Sequence, residues 1–392
     1  MSTLKAKALK MHQDKHGKLS VQAKVSVANE EELSLAYSPG VAEPCLEIEK
    51  DKQNAYKYTM KSNMIGVVTD GSAVLGLGNI GAQAALPVME GKAVLFKRFA
   101  DVDAFPICLD TENVEQIIEA VKLMSPTFGG INLEDIAAPN CFIIEERLKR
   151  ELDIPVFHDD QHGTAIVTLA GLVNALKLVD KDFASIKVVV NGAGAAGIAI
   201  VKLLAQFGVE DMILCDSKGA IYQGRSEGMN KMKEEIASMT NKTKQGGSLR
   251  EVIRAADVFI GVSLGGLVDQ DMIRSMNRDP IVFAMANPTP EILPEEAIKA
   301  GARVVGTGRS DYPNQVNNVL AFPGIFKGAL RVRASDINEA MKVAAVKALA
   351  SLIKEDELNS QYVIPNPFDQ RVADVVSAAV AEAAKLSGVA QL

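Results

Sequence analysis

Short apolar runs and stretches of helical periodicity alternate along most of this chain. Runs at 64–70, 103–109 and 154–157 each read as buried strands, and amphipathic stretches at 111–123 and 165–179 follow two of them. Alternation of this kind predicts βαβ units with a parallel sheet. The pattern resumes in the second half of the chain, with strands predicted at 186–190, 212–215, 258–262, 281–286 and 303–305. The chain therefore has an α/β pattern with two successive sheets.

The most specific pattern lies between residues 185 and 216. A strand leads into the sequence GAGAAG, an Ala- and Leu-rich helix follows, and a second strand ends at Asp216. In such a βαβ unit Gly192 permits the tight turn, Gly194 lets the backbone approach a pyrophosphate, and Gly197 lets helix and strand pack closely. Asp216 can accept hydrogen bonds from a ribose diol. The pattern predicts a dinucleotide site.

A second G-x-G-x-x-G lies at 76–81. Pro87 and Gly91 would interrupt the helix that has to follow it, because proline inside a helix removes a hydrogen bond and clashes with the preceding turn. We therefore predict a tight loop at 76–81 and a cofactor at the later motif. Lys92 lies among apolar residues of this interrupted stretch. The local pattern alone favours a side chain that reaches outward to solvent over one held for chemistry.

Two acidic pairs follow successive predicted strands: Glu134-Asp135 and Asp159-Asp160. Sheets of α/β proteins place ligands at strand ends, and Mg²⁺ or Mn²⁺ prefers carboxylate oxygens. Asp159 or Asp160 can instead cap the helix predicted to open near residue 163. Spacing alone does not decide between a shared cation and helix capping.

Composition narrows the class of protein. The 392 residues are 48% apolar and 23% charged, with a net charge of −7 and no basic stripe, which argues against a nucleic-acid binder. Four widely spaced cysteines do not indicate a disulfide framework. The N-terminus lacks a signal peptide's apolar stretch, and no apolar run approaches transmembrane length. We expect a cytoplasmic protein that binds neither nucleic acid nor membrane.

Several motifs, in one order along the chain, together resemble those of malic enzymes of the short bacterial form. They lie at 37–41 (YSPGV), 70–78, 87–92, 134–135, 157–164 (FHDDQHGT), 192–197, 283–289 (FAMANPT) and 317–324 (NNVLAFPG). The resemblance implies oxidative decarboxylation of L-malate to pyruvate and CO₂ with NAD or NADP and Mg²⁺ or Mn²⁺. It also implies oxaloacetate decarboxylation and a homodimer or larger homo-oligomer.

The resemblance assigns roles residue by residue. It implies that Lys92 is the general base for the C2 hydroxyl, which requires a lowered pKa, and that Tyr37 is the acid that protonates the enolate carbon. Asp159 would orient the metal or Lys92. The implied metal ligands are Glu134, Asp135 and Asp160. The implied substrate-binding residues are Asn287, Asn317 and Asn318. The cofactor-binding residues are Gly192, Gly194, Ala195, Ala196, Gly197, Asp216, Ser217, Lys218, Thr164 and Asn287.

Two features leave alternatives open. Larger family members carry a malate-binding Arg where this chain has Ser-Ala-Val at 72–74, so another group has to meet the second carboxylate of malate. Asp216 favours NAD by repelling a 2′-phosphate, whereas Ser217 and Lys218 can bind one. The competing functions are a decarboxylase acting mainly on oxaloacetate, a dehydrogenase for another 2-hydroxy acid, and a non-catalytic nucleotide-binding sensor.

We therefore predict an α/β protein of two domains. Residues 1–164 form an α/β domain for substrate and metal. Residues 165–392 form a doubly wound, Rossmann-type NAD(P)-binding domain whose C-terminal helices pack back on the first domain.

Overall fold

The computed structural model describes residues 3–392 and contains two sheets joined by one long helix. The first sheet is parallel, with the order β2-β1-β3-β4. Its strands are β1 (Met64–Thr69), β2 (Asp103–Cys108), β3 (Gly130–Leu133) and β4 (Val156–His158). The helices around it are α1 (Leu4–Lys15), α2 (Glu30–Ala36), α3 (Ala42–Lys50), α4 (Ala55–Tyr58), α5 (Ala82–Ala100), α6 (Val114–Met124) and α7 (Asn140–Glu151).

The second sheet has the order β10-β9-β8-β5-β6-β7, parallel except for β7 at the edge. Its strands are β5 (Lys187–Asn191), β6 (Asp211–Asp216), β7 (Gly219–Ala220), β8 (Val258–Gly261), β9 (Ile281–Ala284) and β10 (Val304–Thr307). The helices of this half are α8 (Asp159–Val179), α9 (Ala195–Gln206), α10 (Lys231–Met239), α11 (Leu249–Val252), α12 (Gln270–Arg274), α13 (Pro294–Lys299), α14 (Phe322–Arg331), α15 (Glu339–Ser351) and α16 (Arg371–Leu386). Short 3₁₀ helices occur at Lys52–Asn54, Met60–Asn63, Ser125–Thr127 and Asn318–Leu320.

The strand order around β5 is that of a Rossmann-type sheet, in which the order reverses beside the first strand. The C-terminal helices pack back on the first half of the chain, as predicted. Phe96 of α5 lies 4.7 Å from Phe322 and 5.4 Å from Phe326, measured between ring centroids, and all three side chains are fully buried. The predicted fold class is confirmed.

Helix α8 joins the two sheets and lies in the core. Contrary to the expectation that no apolar run approaches transmembrane length, α8 is long and apolar enough to cross a membrane, but 67% of its most apolar window is buried inside the protein. Its apolar character therefore reflects burial in the core, where it packs mainly against α9 and α15. Because it continues directly from β4, its first turn lies where the first sheet ends and the second half begins.

Two local features concern the first G-x-G-x-x-G. Residues 76–81 form the predicted tight loop, in which Val74 and Gly78 exchange backbone hydrogen bonds of 2.8 and 2.9 Å. The expectation that Pro87 interrupts the following helix is wrong, since α5 runs through it for 19 residues. Proline in the second turn removes one hydrogen bond. The buried face of α5, which includes Met89 and Phe96, offsets that loss.

Candidate active site

Both acidic pairs lie at the same edge of the first sheet. Glu134 and Asp135 follow β3 directly, and its neighbour β4 ends where α8 begins with Asp159 and Asp160. Carboxylate oxygens of Glu134, Asp135 and Asp160 all lie within 4.8 Å of one another. The backbone N–H of Asp135 donates a hydrogen bond of 2.8 Å to Asp160. Two separate strand ends thus deliver three carboxylates to one point.

The charge of this cluster has physical consequences. Burial, reinforced by neighbouring acids such as Asp160, raises the pKa of Glu134 well above its usual value. The same causes raise the pKa of Asp135 to about 7, and its Oδ2 is buried without a hydrogen-bond partner. Ionised carboxylates this close together need a cation between them. An all-oxygen donor set of this kind fits Mg²⁺ or Mn²⁺.

The capping alternative does not hold. Helix α8 begins at Asp159, four residues before the expected start, and its N-cap is His158, whose side chain makes no capping hydrogen bond. Asp159 and Asp160 are therefore residues of the first turn, which leaves their carboxylates free for other partners.

Lys92 lies beside the carboxylates and is only 9% exposed. Its Nζ lies 2.5 Å from Asp159 Oδ2, 2.8 Å from Glu134 Oε1 and 4.0 Å from the centroid of the Phe322 ring. The local prediction of an outward-reaching side chain is thus wrong. The groups of the chain itself do not supply the lowered pKa that a base requires. Burial alone would lower the pKa of Lys92, but Asp159 and Glu134 outweigh burial and raise it.

The hydrogen bonds extend from Lys92 across to the second half of the chain. Asn318 Nδ2 donates to Asp159 Oδ2 at 3.1 Å, and Asn318 Oδ1 accepts from Thr164 Oγ1 at 3.1 Å. Asn317 instead caps the adjacent 3₁₀ helix by accepting from the backbone N–H of Val319. The structure thus brings Asn318 and Thr164 to the buried cluster and gives Asn317 a local role.

Asn287 and Tyr37 lie apart from this hydrogen-bonded set. Asn287 follows β9, and a methyl group added at Gly76 would lie 3.7 Å from its backbone oxygen, so the tight loop of the first half approaches this strand end. Tyr37, at the end of α2, is 70% exposed. None of residues 3–60 is buried. The structure therefore leaves Tyr37 on the surface of the chain.

The GAGAAG loop has the geometry that its glycines require. Gly192 has φ +122°, and a Cβ at Gly197 would lie 1.7 Å from the backbone oxygen of Gly192. A Cβ at Gly194 would meet no atom within 4 Å. The loop is thus closely packed at Gly197 and open at Gly194, where α9 begins with Ala195 and Ala196. The open helix N-terminus can bind a pyrophosphate.

Asp216 differs from the expectation of a free ribose ligand. Its carboxylate accepts from both ends of the Arg225 guanidinium, from Lys233 Nζ at 2.6 Å and from the backbone N–H of Lys218 at 2.9 Å. Burial opposes ionisation, but the hydrogen bonds from Arg225 and Lys233 hold the pKa of Asp216 well below its usual range. Its negative charge is therefore compensated. The side chain of Lys218 pairs with Glu227, and Ser217 is exposed.

Sequence reasoning missed Arg225 and Lys233. The only signal was their position, 9 and 17 residues after Asp216, in a Gly-rich connection and a basic helix that carry no motif. That these segments return to the end of β6 is visible only in the fold.

Comparisons with known proteins agree with this geometry. Residues 15–149 match the family model of the malic enzyme N-terminal domain, and residues 161–385 match that of the malic enzyme NAD binding domain. A bifunctional malic/malolactic enzyme of Bacillus subtilis is 67% identical, with 100% of this chain and 95% of that protein covered. An NAD-dependent malic enzyme of Geobacillus stearothermophilus is 58% identical, with 96% and 78% covered.

A solved structure is similar over nearly the whole chain. The malic enzyme from Pyrococcus horikoshii is 50% identical and superposes with a TM-score of 0.95, with 99% of this chain and 92% of that chain covered. Two family models that together match most of the chain, a relative of this identity over its whole length, and the buried cluster of Lys92 and carboxylates agree. The chain belongs to the malic enzyme family.

Proposed function

We propose that this protein catalyses the NAD(P)-dependent oxidative decarboxylation of L-malate to pyruvate and CO₂ at the buried cluster around Lys92. The observation that carries the proposal is a buried lysine held between Asp159 and Glu134, directly beside three carboxylates whose oxygens converge. Oxidation of a hydroxy acid needs a base and a cation side by side, because the base has to take the hydroxyl proton while the cation stabilises the developing oxyanion.

The metal half of the site uses the three converging carboxylates. Glu134, Asp135 and Asp160 would hold Mg²⁺ or Mn²⁺, which when bound acts as a Lewis acid toward the C2 oxygen and is worth several kcal/mol. Neutralising these carboxylates removes part of the field that keeps Lys92 protonated. Asp159, at 2.5 Å from the Lys92 Nζ, is placed to orient the lysine.

Lys92 would take the C2 hydroxyl proton, and a bound nicotinamide would supply the acceptor for the hydride of C2, so that malate would become oxaloacetate. Loss of the C4 carboxylate as CO₂ leaves an enolate, and a proton delivered to C3 completes pyruvate. The second half of this sequence also decarboxylates added oxaloacetate. Each positioned proton transfer is worth about 10² to 10⁴ in rate.

For the proton delivered to C3, we propose Tyr37 of a second subunit in a homodimer. Tyr37 is exposed in its own chain, and its segment exposes apolar side chains that a partner would cover. They include Val21, Val25, Leu33, Leu35 and Leu46.

Heterodimers test this sharing. Differently tagged Tyr37→Phe and Lys92→Ala subunits are co-expressed and the doubly tagged heterodimer is purified. A shared site leaves one of the two sites with both residues intact, so about half of the wild-type activity is expected. Heterodimers no more active than either parental homodimer would show that Tyr37 serves its own chain.

The reaction itself is tested by absorbance at 340 nm with L-malate and Mn²⁺, in parallel with NAD⁺ and NADP⁺, with an EDTA control and a pyruvate assay. We expect metal-dependent reduction with pyruvate in equal amount. Reduction without pyruvate would indicate a plain 2-hydroxy-acid dehydrogenase. Cofactor binding without reduction would indicate a nucleotide-binding sensor.

Either cofactor fits the environment of Asp216. A free carboxylate would repel a 2′-phosphate, but Arg225 and Lys233 compensate this one and place two cations beside the expected ribose. We therefore propose that the enzyme accepts NADP as well as NAD. All four cysteines are free thiols, which suits the cytoplasm as its location.

A second activity is suggested by the Bacillus subtilis relative, which is named a malic/malolactic enzyme and is 67% identical over the whole chain. Pyruvate that stayed bound would regain the hydride at C2 from the reduced cofactor and a proton on its C2 oxygen from Lys92, so malate would become lactate and CO₂ with no net change in cofactor. The test is lactate formation from malate with only catalytic amounts of NAD⁺. Pyruvate without lactate would reject it.

A further inference from the structure

A second buried polar network meets the first turn of α8 from the side of α7. At its centre is Glu145, which is only 6% exposed. One carboxylate oxygen, Oε1, accepts from the backbone N–H of His158 at 3.0 Å. The other, Oε2, lies 3.1 Å from Gln161 Nε2 and 2.9 Å from His162 Nε2. One carboxylate therefore binds three residues of a single five-residue stretch.

The network continues into the C-terminal helices. His162 Nδ1 lies 3.0 Å from Nζ of Lys342, which is 3% exposed and also bonds Glu339 at 2.8 Å. If the Nε2 proton of His162 is donated to Glu145, Nδ1 accepts from Lys342, and every group has a partner. Burial opposes ionisation of Glu145, but His162 and Lys342 hold its pKa well below the usual value.

The stretch held by Glu145 is the one that carries two of the active-site acids. The three residues that Glu145 contacts, His158, Gln161 and His162, bracket Asp159 and Asp160 in the chain. The ring nitrogens of His158 are buried without a hydrogen-bond partner, and Nε2 comes only to 3.6 Å from Asp160 Oδ2, so no hydrogen bond from this side chain anchors the turn. The described contacts to Glu145 are what fix this backbone from the side of α7.

We propose that Glu145 is a positioning residue for the metal-binding carboxylates, and that His162 and Lys342 hold it in place. The inference rests on the proposed metal site. Groups that orient the ligands of a metal act through the ligands and typically change its affinity 10- to 100-fold.

The surroundings favour a specific effect over general packing. A cavity of about 480 Å³ borders Glu145, His162 and Lys342 between α7, α8, α9, α10 and α15. On the cavity side these side chains are therefore restrained by their hydrogen bonds, while the His162 ring also packs on Phe157 at 5.4 Å between ring centroids. When the hydrogen bonds are lost, the turn gains freedom to shift while the core around it stays packed.

The experiment measures Mn²⁺ affinity directly, by calorimetric titration of the full-length protein without substrate. Glu145→Gln removes the negative charge. It also places a side-chain NH₂ group, which can only donate, against the hydrogen-bond donors of Gln161 and His162. His162→Leu removes both bonds of the ring, whereas His162→Gln can still donate to Glu145 and accept from Lys342. Glu146→Gln is the matched control, because Glu146 is the next acid on α7 and is exposed.

We expect Glu145→Gln and His162→Leu to raise the Kd for Mn²⁺ at least 10-fold, with His162→Gln and Glu146→Gln within about threefold of the wild type. The concentration of Mn²⁺ for half-maximal activity should rise in parallel, while kcat at saturating Mn²⁺ and the Kd for the cofactor change less than threefold. If Glu145→Gln does not fold, the two His162 variants decide.

Two results overturn the inference alone. The first is an Mn²⁺ affinity within twofold of the wild type in Glu145→Gln or in His162→Leu. The second is an equal loss of Mn²⁺ affinity and cofactor affinity together with a lowered Tm, which indicates a merely structural role. A wild-type protein that binds no Mn²⁺ would overturn both the inference and the proposed metal site.

Discussion

Protons and a divalent cation should compete for the carboxylate cluster, and Asp135 sets the pH at which they do so. Burial and then Asp160 raise the pKa of Asp135 to about 7. A cation binds the ionised form. The apparent Kd for Mn²⁺ is therefore multiplied by 1 + [H⁺]/Ka, where Ka is the acid dissociation constant of Asp135. Between pH 8 and pH 6 this factor rises from about 1.1 to about 11, so affinity should fall about 10-fold. Protonation of Glu134 would steepen the fall.

The same shift predicts the stability of the metal-free protein. The pKa of Asp135 in the folded state lies above the value of about 3.9 in an unfolded chain. Between pH 6 and pH 8 the folded state loses a proton that the unfolded state has already lost. The free energy of unfolding should therefore fall by about 1.4 kcal/mol over this range. Added Mn²⁺ should restore more stability at pH 8 than at pH 6.

Calorimetric titration with Mn²⁺ at both pH values, and urea unfolding in EDTA, test these statements. Asp135→Asn is the control, because a residue that does not titrate should abolish the contribution of about 1.4 kcal/mol to the difference in unfolding free energy. A Kd for Mn²⁺ that is the same at pH 6 and pH 8 would refute the reasoning. So would a metal-free wild type whose stability changes with pH as that of Asp135→Asn does.

Four further variants address the base, the cofactor loop and the cations beside Asp216. Lys92→Met leaves two buried acids without their cation, so activity should fall about 10² to 10⁴-fold and the unfolding free energy about 3–5 kcal/mol in urea; retained turnover would remove Lys92 from the mechanism. Gly197→Ala should lower Tm because its methyl would meet Gly192, while Gly194→Ala should keep Tm but weaken cofactor binding in a fluorescence titration at least 10-fold; equal Tm losses would contradict the assigned roles. Lys233→Gln should raise KM for NADP about 10-fold and that for NAD less than threefold; equal changes would contradict a role at the 2′-phosphate.

Features that depend on neighbouring residues were predictable from the sequence. The α/β alternation and the GAGAAG turn follow from local patterns of apolar residues and glycines. The interruption of α5 at Pro87 was predicted from local propensity alone, and it failed because the buried face of that helix is decided by tertiary packing.

Charge partners distant in the chain were not predictable. Lys92 looks like a surface lysine because its partners Glu134 and Asp159 lie 42 and 67 residues away. Asp216 looks like a free acid because nothing local shows that Arg225 and Lys233 return to it. In both cases the local sequence contains the charged residue but not the distant charges that surround it.

The start of α8 explains why one turn carries so much of the chemistry. Its N-terminus presents the positive end of the helix dipole to Asp159 and Asp160, which partly offsets the mutual repulsion of the acids. One turn later, Thr164 reaches Asn318 of the second half of the chain. Beyond that the helix is buried in the core. A tilt of α8 would move the metal ligand Asp160, the Lys92 partner Asp159 and the contact to Asn318 together. Holding the first turn of α8 from α7 therefore constrains the whole site through a single backbone segment.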